Sequence, residues 1–195
     1  MNSEIKMEST GARSQLTLAI LAGGSGKRLG GAAKGLLTFQ GISYVERILQ
    51  LSALCSEGLI ISSDPRYDAF DARRVEDVEP GRGAPGGVVS ALLAARAPWV
   101  LVVACDMPFV TVQAARLLIA AAGNHDVVCF QRGGMLEPLL GVYRASLGPL
   151  WRERLGENPS MKLLLSGASV CALQPADPGC LESINTPEQL AAVKS

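Results

Sequence analysis

The apolar run LTLAI at residues 16–20 leads directly into LAGGSGKRLGGAAKG at residues 21–35, which holds six glycines and three cations. Fixing glycine costs more backbone entropy than fixing any other residue, so a cluster of it behind a buried strand signals a turn with a purpose. Such a turn lets backbone N–H groups approach a phosphate, and Lys27, Arg28 and Lys34 add positive charge to the same cradle. A plain surface loop is the competing reading. Two common phosphate loops fail on spacing. A Walker A loop needs glycine at position 21 and Ser or Thr at 28, where this chain has Leu21 and Arg28. A dinucleotide fingerprint needs a third glycine at position 29, where Leu29 stands. What remains is a strand followed by a cationic glycine turn, better suited to a triphosphate than to a dinucleotide.

Outward from this stretch, runs of Val, Ile and Leu alternate with longer amphipathic segments. That pattern predicts an α/β fold, a mostly parallel sheet with helices on both faces. Strands are expected at residues 17–22, 58–62, 73–76, 99–104, 126–130, 138–143 and 168–172. Helices are expected from Tyr44, from Gly86, and over TVQAARLLIAAAG, where Thr111 caps and Gly123 stops the segment. FQRGGMLEPLLGVY, residues 130–143, reads as one antiparallel hairpin about Gly133 and Gly134. With 195 residues and 48% hydrophobic content, residues 16–195 can bury one core behind a polar tail at 1–15.

Eighteen basic residues balance eighteen acidic ones, which argues against a nucleic-acid partner. No apolar run approaches the roughly 18 residues of a membrane span, so no membrane is expected and a cytoplasmic location is. The five scattered cysteines have no Cys-x-x-Cys spacing and are read as reduced thiols. The single histidine, His125, excludes a histidine-based metal cluster.

In an open parallel sheet the ligand lies outside the carboxyl ends of the strands. WVLVVA, residues 99–104, runs into CDMPF, so Asp106 stands at a strand tip with Pro108 fixing the turn. Mg²⁺ takes one or two carboxylates plus phosphate oxygens, and Asp106 is a candidate ligand; the alternative is a turn or capping aspartate. Asp77 lies in a loop with Pro80, Gly81, Gly83, Pro85 and Gly86, where its carboxylate can accept from a base or ribose or serve as an ordinary turn residue. In INTPEQL, residues 184–190, Thr186 and Pro187 read as the start of a helix, while Asn185 can direct its amide into the site.

LAGGSGKRLGGAAKGLL, CDMPF, EPLLGVYRA and INTPEQL fall in order along nearly the whole chain, and together they resemble the molybdenum cofactor guanylyltransferase family. The resemblance implies a Rossmann-like three-layer sandwich and transfer of GMP from Mg-GTP to the terminal phosphate of molybdopterin, with release of pyrophosphate. It implies Mg²⁺ as cofactor, GTP and molybdopterin as substrates, and protein partners that deliver molybdopterin and collect the product. Leu21, Ala22 and Gly23 match the family's GTP-contacting turn. Gly24 completes a Leu-Ala-Gly-Gly turn of the guanylyl type, where CTP-using relatives resemble Leu-Ala-Ala-Gly. Lys34 matches the phosphate lysine, Asp77 the nucleotide-binding aspartate, Asp106 the Mg²⁺ ligand, and Asn185 the asparagine near the reacting phosphate. Arg28 is assigned with Lys34 to the leaving pyrophosphate.

Three positions depart from the family pattern. Ala33 stands where aspartate is frequent, and Ser62 aligns with an asparagine at the end of the second strand and is taken as a nucleotide contact. Ser183 stands where some members have a second asparagine. Rival readings are a molybdopterin cytidylyltransferase, another small nucleotidyltransferase, and a nucleotide-binding module without turnover. For the acceptor, the hairpin and GENPSMKLLLSG at 156–167 are the candidate regions, with Arg132 and Lys162 as the cations for its phosphate; each also reads as a solvated surface charge.

Overall fold

All six residues of Leu16–Leu21 are buried, the pattern of a strand covered on both faces. This strand, β1, opens a computed structural model that describes residues 15–23, 33–156, 160–184 and 189. The expected tail, apart from Gln15, lies outside the described residues. After β1 come the short strands β2 (Thr38–Phe39) and β3 (Ile42–Ser43), then α1 (Tyr44–Leu49), β4 (Glu57–Ile61), β5 (Arg73–Val75) and α2 (Gly83–Ala94). The second half contains β6 (Trp99–Ala104), α3 (Val112–Ala121), β7 (Val127–Arg132), β8 (Met135–Arg144), α4 (Leu147–Glu153), α5 (Met161–Leu165) and β9 (Val170–Leu173).

Among the described residues the main sheet has the order β5-β4-β1-β6-β8-β7-β9. Strand β8 runs antiparallel to both of its neighbours, whereas the pairings β1–β4, β1–β6, β4–β5 and β7–β9 are parallel. Alternation along each strand divides the core into two layers. Leu18, Ile20, Leu101 and Val103 join Val45 and Ile48 of α1 and Leu118 of α3. Ala19, Leu21, Val100 and Val102 join Val89 of α2, Trp151 of α4 and Leu164 of α5. The result is three layers, helices on both faces of a mostly parallel sheet, as expected.

Local chemistry sets the element ends. Ser43 and Glu46 form a reciprocal capping box on α1, with Glu46 Oε2 accepting from Ser43 N at 2.8 Å. Thr111 Oγ1 accepts from Ala114 N at 3.1 Å and caps α3 as expected. The hairpin about Gly133 and Gly134 is also present, and their φ values of 58° and 80° suit a two-residue turn that needs both residues left-handed. Helix α2 starts at Gly83, three residues before the Gly86 expected from the apolar pattern. Pro85 falls in its first turn, where a missing N–H leaves no helical bond unmade. The β2–β3 hairpin was not foreseen; Gln40 and Gly41 turn it with φ of 52° and 78°. In β8 the register against β7 jumps between Cys129 and Phe130, and this irregularity accommodates Pro138 inside the strand.

Candidate active site

The carboxyl ends of β4, β1 and β6 lie side by side, so the residues that follow them meet on one edge. Ala22 N donates to Ile61 O at 3.0 Å and Cys105 N to Leu21 O at 3.1 Å, which extends both ladders one residue past the strands. Leu21, Ala22 and Gly23 are thus held between Ser62 on one side and Asp106 on the other. A Cβ on Gly23 would lie 3.7 Å from Ile61 O, ordinary contact, so this glycine is not demanded by the strand beside it.

Lys34 and Asp106, 72 positions apart in sequence, meet here. Lys34 Nζ lies 3.4 Å from Asp106 Oδ2, with both side chains partly exposed. Lys34 begins a 3₁₀ turn, Lys34–Leu36, pinned from beneath at Gly35. A Cβ on Gly35 would come within 2.6 Å of Val45 Cγ2 and 2.7 Å of Tyr67 Oη, so only glycine fits. Asp106 is fixed through its main chain, because Ile184 N donates to Asp106 O at 2.9 Å. That bond brings the segment before Asn185 to the same strand tip. Cys105 is buried beside it, and burial, reinforced by the Asp106 charge, pushes its thiol up to about 12, so it remains protonated and is no nucleophile.

Asp77 stands half-buried beyond the end of β5. Its Oδ1 accepts from Ser90 Oγ at 2.7 Å and from Glu79 N at 3.0 Å, which fixes the carboxylate against the start of α2. Helix α2 approaches β1 closely, since a Cβ on Gly87 would sit 3.5 Å from Leu21 Cδ2. Ser62 is buried; its N–H donates to Val75 O at 2.9 Å and its Oγ accepts from Asp64 N at 3.1 Å. Leu21, Ala22, Gly23, Lys34, Ser62, Asp77 and Asp106 therefore share one edge. Gly24, Arg28 and Asn185 lie outside the described residues.

The two acceptor candidates are farther along. Arg132 ends β7 on the same edge and pairs with Glu182 at 2.9 Å and Glu137 at 3.5 Å. Lys162 is exposed in α5, on the face that carries α2. Sequence reasoning did not single out Ser90, Gly35 or Tyr67. The available signals were a lone hydroxyl inside the apolar run VVSALL and a glycine directly after Lys34.

Among the described residues no three His, Cys, Asp or Glu side chains converge to hold a metal. A lone carboxylate at a strand tip, next to a cationic turn, fits a Mg²⁺ shared with a nucleotide's phosphates rather than one caged by protein. The described cysteines are all free, as expected, and no described helix is long and apolar enough to cross a membrane.

Residues 18–170 match the family model of the MobA-like NTP transferase domain. The molybdenum cofactor guanylyltransferase of Pseudomonas aeruginosa is 34% identical over 187 residues, covering 90% of this chain and 92% of that protein. The probable molybdenum cofactor guanylyltransferase of Chloroflexus aggregans is 36% identical over 200 residues, with 90% and 92% covered. Among solved structures, the molybdopterin-guanine dinucleotide biosynthesis protein A of Archaeoglobus fulgidus superposes with a TM-score of 0.77 at 22% identity, over 91% of this chain and 96% of that one. The 2-C-methyl-D-erythritol 4-phosphate cytidylyltransferase of Thermus thermophilus gives 0.69 at 18% identity, with 92% and 97% covered. At these identities the structural likeness establishes the shared fold.

Proposed function

The chain belongs to the MobA-like NTP transferase family, and from that premise we propose that it is a molybdenum cofactor guanylyltransferase, joining GMP from GTP to the terminal phosphate of molybdopterin. The observation that carries this reading is the meeting of Lys34 and Asp106, 3.4 Å apart, beside the Leu21–Gly23 turn, in a chain that aligns with named guanylyltransferases over nine-tenths of its length.

The bond changes are those of an in-line displacement. An acceptor phosphate oxygen forms a bond to the α-phosphorus of GTP, the α–β bridging bond breaks, and pyrophosphate leaves with the electron pair. The acceptor is already anionic near neutral pH, so no general base is required. The work left to the protein is positioning and charge neutralisation. The backbone of Leu21, Ala22 and Gly23 approaches the triphosphate, Asp77 and Ser62 face the nucleoside side, and Lys34 neutralises the departing pyrophosphate, a role to which Arg28 is also assigned. Asp106 would hold Mg²⁺, which when bound supplies positive charge to the phosphate oxygens. Lys34, whose partly exposed pair with Asp106 contributes only about 0–1 kcal/mol, would be shared with the same phosphates at low cost to that pair. Asn185 is assigned to the reacting phosphate.

Incubation with molybdopterin, Mg²⁺ and each nucleoside triphosphate in turn, followed by mass identification, tests the reading. GTP alone should give the guanine dinucleotide form and pyrophosphate. A cytosine dinucleotide product would reassign the base, and no product with any triphosphate would leave a binding module.

A further inference from the structure

Helix α2 is buried around its middle, with Val88, Val89, Ala91 and Leu92 all sealed from solvent, yet Ser90 stands among them at 0% exposure. A buried helical serine usually returns its proton to the carbonyl four residues earlier, and Gly86 O lies at 2.8 Å for that bond. A second acceptor lies nearer, Asp77 Oδ1 at 2.7 Å. One hydroxyl proton serves one acceptor at a time, and a carboxylate is the stronger one. Ser90 Oγ in turn accepts from Val78 N at 3.0 Å, so Ser90 bonds both the side chain of Asp77 and the backbone one residue on.

These bonds act on one end of the carboxylate. Oδ1 is held twice, by Ser90 and by Glu79 N, which fixes the plane of the group and therefore the direction of Oδ2. The space about Oδ2 is kept by Gly86, where a Cβ would come to 3.3 Å from Oδ2, 3.1 Å from Glu79 O and 2.9 Å from Arg82 Cβ. We propose that Ser90 is a positioning residue for nucleotide selection: from inside α2 its hydroxyl holds Asp77 so that Oδ2 presents to the nucleoside of the triphosphate. This rests on the reading of Asp77 as a nucleotide contact. Ser90 touches no substrate; it acts through Asp77.

The test is a double-mutant cycle on the full chain with Ser90→Ala, Asp77→Asn and the pair. GTP binding is measured by calorimetry, and kcat and both KM values with molybdopterin and Mg²⁺. Ser90→Ala removes one oxygen and favours the helix, so the fold is expected to persist, checked by thermal unfolding. Loss of one bond to a charged group should weaken GTP binding about tenfold, with kcat at saturating GTP and the acceptor KM little changed. Asp77→Asn should weaken it at least as much, and adding Ser90→Ala to Asp77→Asn should cost little more GTP affinity, because the Oδ2 that the hydroxyl positions is then already replaced by an amide nitrogen. Additive losses, or a fall in kcat and both KM values together with the melting temperature, would make Ser90 a packing residue and overturn the proposal. If Asp77→Asn weakens GTP binding and Ser90→Ala does not, the positioning role alone is lost. If Asp77→Asn leaves GTP binding unchanged, the nucleotide reading of Asp77 fails and the proposal with it.

Discussion

Asp106 has two attachments that substitution separates. Its carboxylate meets Lys34, whereas its carbonyl accepts from Ile184 N and holds the chain before Asn185. Asp106→Ala removes the first and keeps the second, so turnover should fall by about two to three orders of magnitude, the scale of losing a transition-state charge contact, with the melting temperature nearly unchanged. Turnover near wild type in saturating Mg²⁺ would take Asp106 out of the chemistry. Gly35 makes the opposite case. An added methyl must displace Val45 Cγ2 or the buried ring of Tyr67, an overpacking cost of about 1–3 kcal/mol, and it lifts the turn that carries Lys34. Gly35→Ala should therefore lower both the unfolding midpoint and GTP affinity, whereas Lys34→Ala should lower only the affinity. Asp106 was legible in the sequence because a charge that directly follows an apolar run declares itself, and Lys34 because it is a cation in a glycine-rich turn behind a buried strand. Gly35 and Ser90 were not, since each owes its role to a residue the sequence does not place beside it, Tyr67 in one case and Asp77 in the other.

At the scale of elements, β1, β4, β6 and β7 were legible because a largely buried strand is a short apolar run, and all seven expected segments became strands of the main sheet, the half-exposed Arg73–Val75 of β5 and the antiparallel β8 included. The start of α2 was less so, because Gly83-Ala84-Pro85 has no apolar periodicity and becomes a first helical turn only against the loop that carries Asp77. A carboxylate ties together the amino edge of the sheet at β4 and β1. Glu57, at the start of β4, accepts from Arg96 N at 2.7 Å and Thr17 Oγ1 at 2.9 Å, and pairs with Arg73 at 3.4 Å. Burial alone would raise its pKa, but these bonds together outweigh it and hold the value below the ordinary 4.5. A pKa depressed on folding means stability that is present above the unfolded value and lost as pH falls through the folded one. Urea midpoints should therefore drop on acidification below about pH 4.5, and Glu57→Gln should flatten that acid limb. An unaltered acid limb in the variant would assign the loss to other carboxylates.

Across the whole molecule, β8 is the strand that breaks the parallel run, and it divides the carboxyl edge in two. On one side stand the turns after β1, β4, β5 and β6, with the proposed nucleotide contacts. On the other stands Arg132, at the end of β7. The segment from Glu182 to Ile184 spans the divide, bonding Arg132 through the Glu182 carboxylate and Asp106 through the Ile184 amide. Arg132 thus has two available roles, a phosphate cation for the acceptor or a clasp for this segment, and magnitudes separate them. Its pair with Glu182 is largely exposed and contributes about 0–1 kcal/mol, so as a clasp it holds little, and an incoming phosphate displaces Glu182 at small cost. A bond from guanidinium to phosphate is about twice as strong as a neutral one and is made only when the acceptor binds. Arg132→Gln should therefore raise the KM for molybdopterin about tenfold and leave GTP affinity alone. Glu182→Gln weakens the competitor for the same guanidinium and should lower that KM or leave it unchanged. If both substitutions instead depress kcat alike, with neither KM moving, Arg132 acts as a clasp on the Asp106 loop. The phosphate of the acceptor must then be met elsewhere on the edge, with Lys162 as the next cation to neutralise.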